Sequence, residues 1–134
     1  MRENQSKPTE SELQILGLLW QHGPLTVRQI HERMGRDTGY TSVLKLMQIM
    51  TSKGLLLRRR AGKSHVYRPK GSQHSMVQKV IGPLLDRVFG GSPQKLLAAA
   101  LAAKQTSPAE LAEIRQMIDD AAKTAEQRSE RSNP

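Results

Sequence analysis

Cysteine is missing from these 134 residues. Its absence removes disulfides, thiolate metal sites and thiol nucleophiles, and fits a reducing compartment such as the cytoplasm. Aromatic residues are scarce, with only Trp20, Tyr40, Tyr67 and Phe89, so aliphatic side chains must do most of the packing. No apolar run approaches the ~18 residues that suggest a membrane span. The polar opening MRENQSKPTE lacks the apolar segment of a secretion signal. Cytoplasmic location without membrane insertion is the expectation. Groupings that mark enzymes are missing too: there is no Ser/His/Asp set, Gly-rich phosphate loop or His/carboxylate metal motif. His22, His31, His65 and His74 lie far apart without metal-ligand spacing. No catalytic residue, metal or cofactor is expected.

Acidic residues are scarce in one half only. Residues 1–75 hold thirteen Lys/Arg against five Asp/Glu, and residues 76–134 hold eight against seven. Most of the net charge of +9 therefore belongs to the N-terminal half, which favours a polyanionic partner. The balanced C-terminal half must do something else.

Along the chain, PTESELQILGLLWQHGP reads as a first helix, with Thr9 and Glu12 at capping-box spacing. Leu13, Leu16, Leu19 and Trp20 form its apolar stripe, widened by Ile15 and Leu18. LTVRQIHERMG is a second helix, capped by Thr26 and Gln29 and stopped at Gly35. Leu25-Thr26 is expected to pair briefly as an edge strand before it. In YTSVLKLMQIMTSKG a period of ~100° per residue puts Val43, Leu46, Met47 and Met50 on one side. Thr41, Lys45, Gln48 and Ser52 fall on the other, flanked by Thr38 and Ser42. That polar face has hydrogen-bonding groups and one positive charge but no acid, unlike most solvated helix faces.

Gly54 ends the third helix, and LLLRRRAGKSHVYRP reads as a hairpin. Leu55–Arg59 and His65–Arg68 are the candidate strands, and residues 61–64 are the turn. Three helices followed by a hairpin is the order of a winged helix-turn-helix, in which the third helix enters the DNA major groove and the wing follows phosphates. Arg58, Arg59, Arg60, Lys63, Arg68 and Lys70 give the wing the charge for that work. An edge strand kept soluble by basic residues is the plainer alternative.

Residues 72–89 read as a fourth helix with a broad apolar face of Val77, Val80, Ile81, Leu84, Leu85 and Val88. Pro83 is expected to kink or split it. Ser92-Pro93 starts a fifth helix and Ser107-Pro108 a sixth, where Leu111, Ile114, Ile118 and Ala121 repeat at helical spacing. Three short helices cannot bury much alone. Packing on a second copy across a two-fold axis is expected, with folding back on their own winged helix as the alternative. The fold class is mainly α with a small β-hairpin. The expected division is a winged helix-turn-helix DNA-binding domain at 1–71, an all-α dimerisation domain at 72–123 and a disordered tail at 124–134.

With these residues in place the chain resembles the BlaI/MecI family of bacterial repressors. ESELQILGLLW, TVRQIHERM, GYTSVLKLMQIMTSKGLL and KSHVYRP carry the likeness, with LLDRVFGGSPQKLL and SPAELAEIRQMI more weakly, so that it covers about residues 8–120. It implies a homodimer on an inverted-repeat operator in double-stranded DNA, repressing by occluding the promoter. Base readout falls by resemblance on Tyr40, Thr41, Ser42 and Lys45. Phosphate contacts fall on Thr26 and Arg28 at the second helix N-terminus, and on Arg58, Arg59, Arg60, Lys63, Ser64 and Tyr67 of the wing. For Tyr67, aromatic packing is an equal alternative. Family members that control β-lactam resistance are released by cleavage of an Asn-Phe bond, often through a sensor protease. Here the aligned pair is Ala99-Ala100, so that signature is absent and the inducer is not identified. Copper-responsive relatives use a cysteine cluster that this chain lacks. The alternative function is a non-specific nucleic-acid-binding or protein-docking winged-helix module.

Overall fold

The computed structural model describes residues 8–35 and 37–132, so most of the polar opening segment lies outside the described residues. The elements are α1 (Glu10–His22), α2 (Val27–Met34), α3 (Tyr40–Ser52), β1 (Leu56–Ala61), β2 (Ser64–Pro69), α4 (Gln73–Val88), α5 (Pro93–Ala103) and α6 (Pro108–Ser132). Both expected capping boxes form. Thr9 Oγ1 accepts from Glu12 N–H at 3.2 Å while Glu12 Oε1 accepts from Thr9 N–H at 2.8 Å. Thr26 and Gln29 repeat the exchange at 3.2 and 2.9 Å. Each box satisfies two otherwise unpaired donors and fixes where its helix begins.

The core of the first unit collects Ile15, Leu16 and Leu19 of α1, Val27 and Ile30 of α2, and Val43, Met47 and Met50 of α3. Leu25, Leu55, Leu56 and Tyr67 close it from the hairpin side, and Met76 joins from α4. Leu25 pairs with Tyr67 through N–H···O bonds of 3.1 and 2.8 Å, which supplies the brief edge pairing expected there. The hairpin is tighter than its sequence suggests. Ala61 pairs with Ser64, so the turn is only Gly62-Lys63, with Gly62 at φ 65° and no positive φ at Lys63. Glycine at the first central position with positive φ is the type II′ pattern, which matches the twist of the strands it joins.

Glu12 is the one buried charged residue among those described, at 1% exposure. Lys53, the C-cap of α3, reaches its two carboxylate oxygens at 2.8 and 3.1 Å. Burial pushes the Glu12 carboxyl up, but hydrogen bonds from Lys53 and from the Thr9 backbone, with the ammonium charge, outweigh it and leave the group below its usual range. This pair ties the end of α3 to the start of α1.

The chain divides into two compact units, residues 1–88 and 89–134, rather than at the expected boundary of 71/72. α4 belongs to the first unit, and Met76 in its first turn is the buried residue that attaches it. Pro83 lies inside α4 without splitting it. In the second unit Ser92 Oγ caps α5 and Ser107 Oγ caps α6, accepting from the N–H groups of Lys95 and Glu110 at 3.3 and 3.1 Å. The segment expected to be disordered from 124 is helical through Ser132. Its Ala, Glu, Gln and Arg residues favour helix without an apolar stripe, and Thr124 Oγ1 at its start donates to Asp120 O one turn back at 3.1 Å. No helix among the described residues is long and apolar enough to cross a membrane.

Candidate nucleic-acid interface

The outward face of α3 is what its period implies. Val43, Met47 and Met50 are fully buried, whereas Tyr40, Thr41, Ser42, Lys45 and Gln48 are exposed. The turn before α3 is held by His31, whose Nε2 lies 2.9 Å from Thr38 O. The same ring meets Tyr40 edge-to-face at 5.7 Å, which fixes the first residue of α3 against α2. Gly39 caps α3 with no side-chain hydrogen bond, so the first N–H groups of this helix have no side-chain acceptor at the cap.

Beside α3 lies an open cleft of about 450 Å³ lined by Thr26, Val27, Arg28, Tyr40, Leu44, Lys63, Ser64, His65 and Tyr67. It therefore brings together six expected contact residues from three elements: the α2 N-terminus, the α3 N-terminus and the wing. Thr41, Ser42 and Lys45 are on the neighbouring exposed face of α3 rather than in the cleft. Val27, Leu44 and His65 line it as well; Val27 belongs to the core, Leu44 is half-buried, and His65 pairs with Arg60 across the wing.

Strand register divides the wing. Arg58 pairs with Tyr67 and Arg60 with His65, while Arg59 pairs with Val66 and Leu57 with Arg68. Directly paired residues share a face, so the three consecutive arginines do not act as one patch. Arg58 and Arg60 share the face of Tyr67, and Arg59 shares the opposite face with Arg68. Arg60 also folds over the turn, its Nε donating to Gly62 O at 3.2 Å. Tyr67 is 2% exposed and belongs to the core. Packing is thus its role in this structure, in place of an exposed wing contact, because it lies on the strand face that closes over the helices.

Between Asp37 and Asp86 the sequence contains no acidic residue, so α3 and the whole wing present cations and neutral donors without a carboxylate. Among the described residues no group of His, Asp or Glu is placed to hold a metal ion. Of the expected dimer residues, Leu84, Val88, Leu111 and Ile118 are exposed, and Val77, Ile81, Leu85 and Ile114 are half-buried. Ala99 and Ala100 are exposed on α5.

Comparison with known proteins agrees with this geometry. Residues 8–120 match the family described as penicillinase repressor. The chain is 35% identical over 93 residues to a transcriptional regulator BlaI of Mycobacterium tuberculosis, covering 67% of this chain and 65% of that relative. It thus spans just under two thirds of the relative's length. It is also 18% identical over 114 residues to the penicillinase repressor of Bacillus licheniformis, covering 84% of this chain and 89% of that one. Among solved structures it is similar to a homodimeric winged helix-turn-helix DNA-binding domain from Mycobacterium bovis, described as a possible ArsR-family transcriptional regulator. The TM-score is 0.50 at 29% identity, over 64% of this chain and 81% of that one. With its capped helices, acid-free third helix and basic two-stranded wing matched over this span, the chain belongs to the penicillinase repressor family.

Proposed function

We propose that the chain is a cytoplasmic, sequence-specific DNA-binding transcriptional repressor that acts as a homodimer on an inverted-repeat operator. The observation that carries this reading is the exposed, acid-free face of α3 beside a cleft rimmed by the α2 N-terminus and the wing. An α-helix fits the major groove, and Thr and Ser hydroxyls bond either base type there. Thr41, Ser42 and Lys45 are the readers in this proposal, with Tyr40 at the groove edge. Arg28, Arg58, Arg59, Arg60 and Lys63 contact phosphates, and Thr26 and Ser64 add neutral bonds to them. Ten such cations from two protomers give a salt slope of up to about −9 in log K against log salt.

Dimerisation is supported by what the second unit leaves uncovered. Among the described residues none of α5 or α6 is buried, and Met117 and Ile118 are 65% and 52% exposed. Apolar faces of this kind need a partner surface, and the Mycobacterium bovis domain is homodimeric by its description. A two-fold pair sets two copies of α3 for half-sites ~34–36 Å apart or a multiple of that distance. Repression follows from occupancy, since a dimer across a promoter excludes the polymerase. Selection from a random double-stranded pool tests the proposal. An enriched inverted repeat is expected, and binding without enrichment would leave only a non-specific polyanion surface.

A further inference from the structure

Ile49 is the anomaly of α3. It is 43% exposed, although the helix has a fully buried apolar side formed by Val43, Met47 and Met50. With Lys45, Gln48, Ser52 and Lys53 it lines a shallow groove on the outer surface. Lys53 is committed to Glu12 at 2.8 Å, and Lys45 is the only charged residue within α3 itself. The second half of the outward face therefore offers a carboxamide, a hydroxyl and a branched aliphatic side chain, but almost no charge. Neutral groups of this kind contribute nothing to the neutralisation of phosphates. Base edges do: a carboxamide can bond adenine N6 and N7 together, and an aliphatic group can cover a thymine methyl.

We propose that Gln48 and Ile49 form a second reading position on α3, separate from Thr41 and Ser42, that selects A·T pairs. The proposal rests on the DNA-binding reading above. Gln48 bonds the N6 and N7 edge of an adenine, and Ile49 packs against the 5-methyl of a thymine in the neighbouring pair. The two residues follow Thr41 and Ser42 by seven positions, about 10.5 Å along the helix axis. At ~3.4 Å per base pair this places their targets about three pairs away from those of Thr41 and Ser42. Each half-site then carries two specificity blocks at a fixed offset.

The test uses the full chain and the duplex enriched by selection, altered at the offset position. Replacing thymine by deoxyuridine removes only the methyl group, and the wild type is expected to bind about fourfold more weakly. Ile49→Ala is expected to bind the two duplexes equally. Gln48→Ala is expected to lose roughly five- to a hundredfold discrimination at one A·T pair, while preferences governed by Thr41 stay unchanged. Both side chains are exposed, and the deoxyuridine arm needs no variant at all, so impaired folding cannot imitate the pattern. An enriched site with no A·T preference at the offset, or wild-type preference in both variants with no response to deoxyuridine, overturns this proposal alone. A wild type that enriches no motif overturns it together with the DNA-binding reading.

Discussion

Replacing Lys53 with methionine keeps the aliphatic stem and removes the ammonium that lies 2.8 and 3.1 Å from the Glu12 oxygens. Glu12 is 1% exposed and would keep the Thr9 backbone N–H at 2.8 Å as its remaining partner. Removing one member of a fully buried pair costs ~3–5 kcal/mol. Lys53 retains 19% side-chain exposure, which lets water share the ammonium and lowers the expected loss to about 2–3 kcal/mol. The pH dependence is a sharper test than the size. In the wild type the Glu12 carboxyl sits below its ordinary value of 4.5. The stability it contributes is therefore full above that value and is lost as pH falls through the lower folded value. Without Lys53, burial dominates and the carboxyl moves up, so the variant's deficit is full at neutral pH and shrinks as the group protonates. Glu12→Gln keeps the acceptor for Thr9 N–H, and Glu12→Gln/Lys53→Met should recover at least half the loss because no buried charge remains. Urea unfolding followed by circular dichroism at pH 7 and pH 4 measures all four proteins. A Lys53→Met deficit that is equal at both pH values, or below about 0.5 kcal/mol, would refute the reasoning.

Three further outcomes are expected. Thr41→Ala or Lys45→Ala should cost about 1–3 kcal/mol on the best site and relax preference there, read by competition among single-base variants of the selected duplex. Arg59→Ala removes one phosphate contact from each protomer, so it should weaken every duplex alike and flatten the salt slope by about two, checked by anisotropy titrations at several salt concentrations. A changed base preference with an unchanged slope would remove Arg59 from the phosphate contacts. Ile118→Glu puts a charge on an exposed apolar position of α6 and should yield monomers in sedimentation; a fully dimeric variant would place the interface elsewhere.

What the sequence made legible was local. Thr9/Glu12 and Thr26/Gln29 announce two helix starts because the capping box is a three-residue device. The periods of α1 to α3 name the core for the same reason, since a side chain's face follows from its spacing. The basic wing was legible as charge, but its division was not. Whether Arg58 or Arg59 shares a face with Tyr67 depends on the pairing register of the two strands, which a count of charges does not report. The Glu12–Lys53 pair joins residues 41 apart, beyond the reach of any local rule. α6 was read too short because apolar spacing reports burial, and its exposed last turns are held by helix propensity instead. Ile49 does not stand out by residue type, because an isoleucine in a helix is ordinarily core, and only its 43% exposure reveals otherwise.

The most direct measurement is the ratio of affinities, at about physiological salt, for the selected inverted repeat and for a duplex of the same composition with both half-sites scrambled. A family repressor that reads bases through α3 should favour the repeat by at least about a thousandfold, with two protomers bound per duplex. A ratio within about threefold, with the same steep salt dependence on both duplexes, would contradict sequence reading and leave a basic winged helix that binds any DNA through its phosphates.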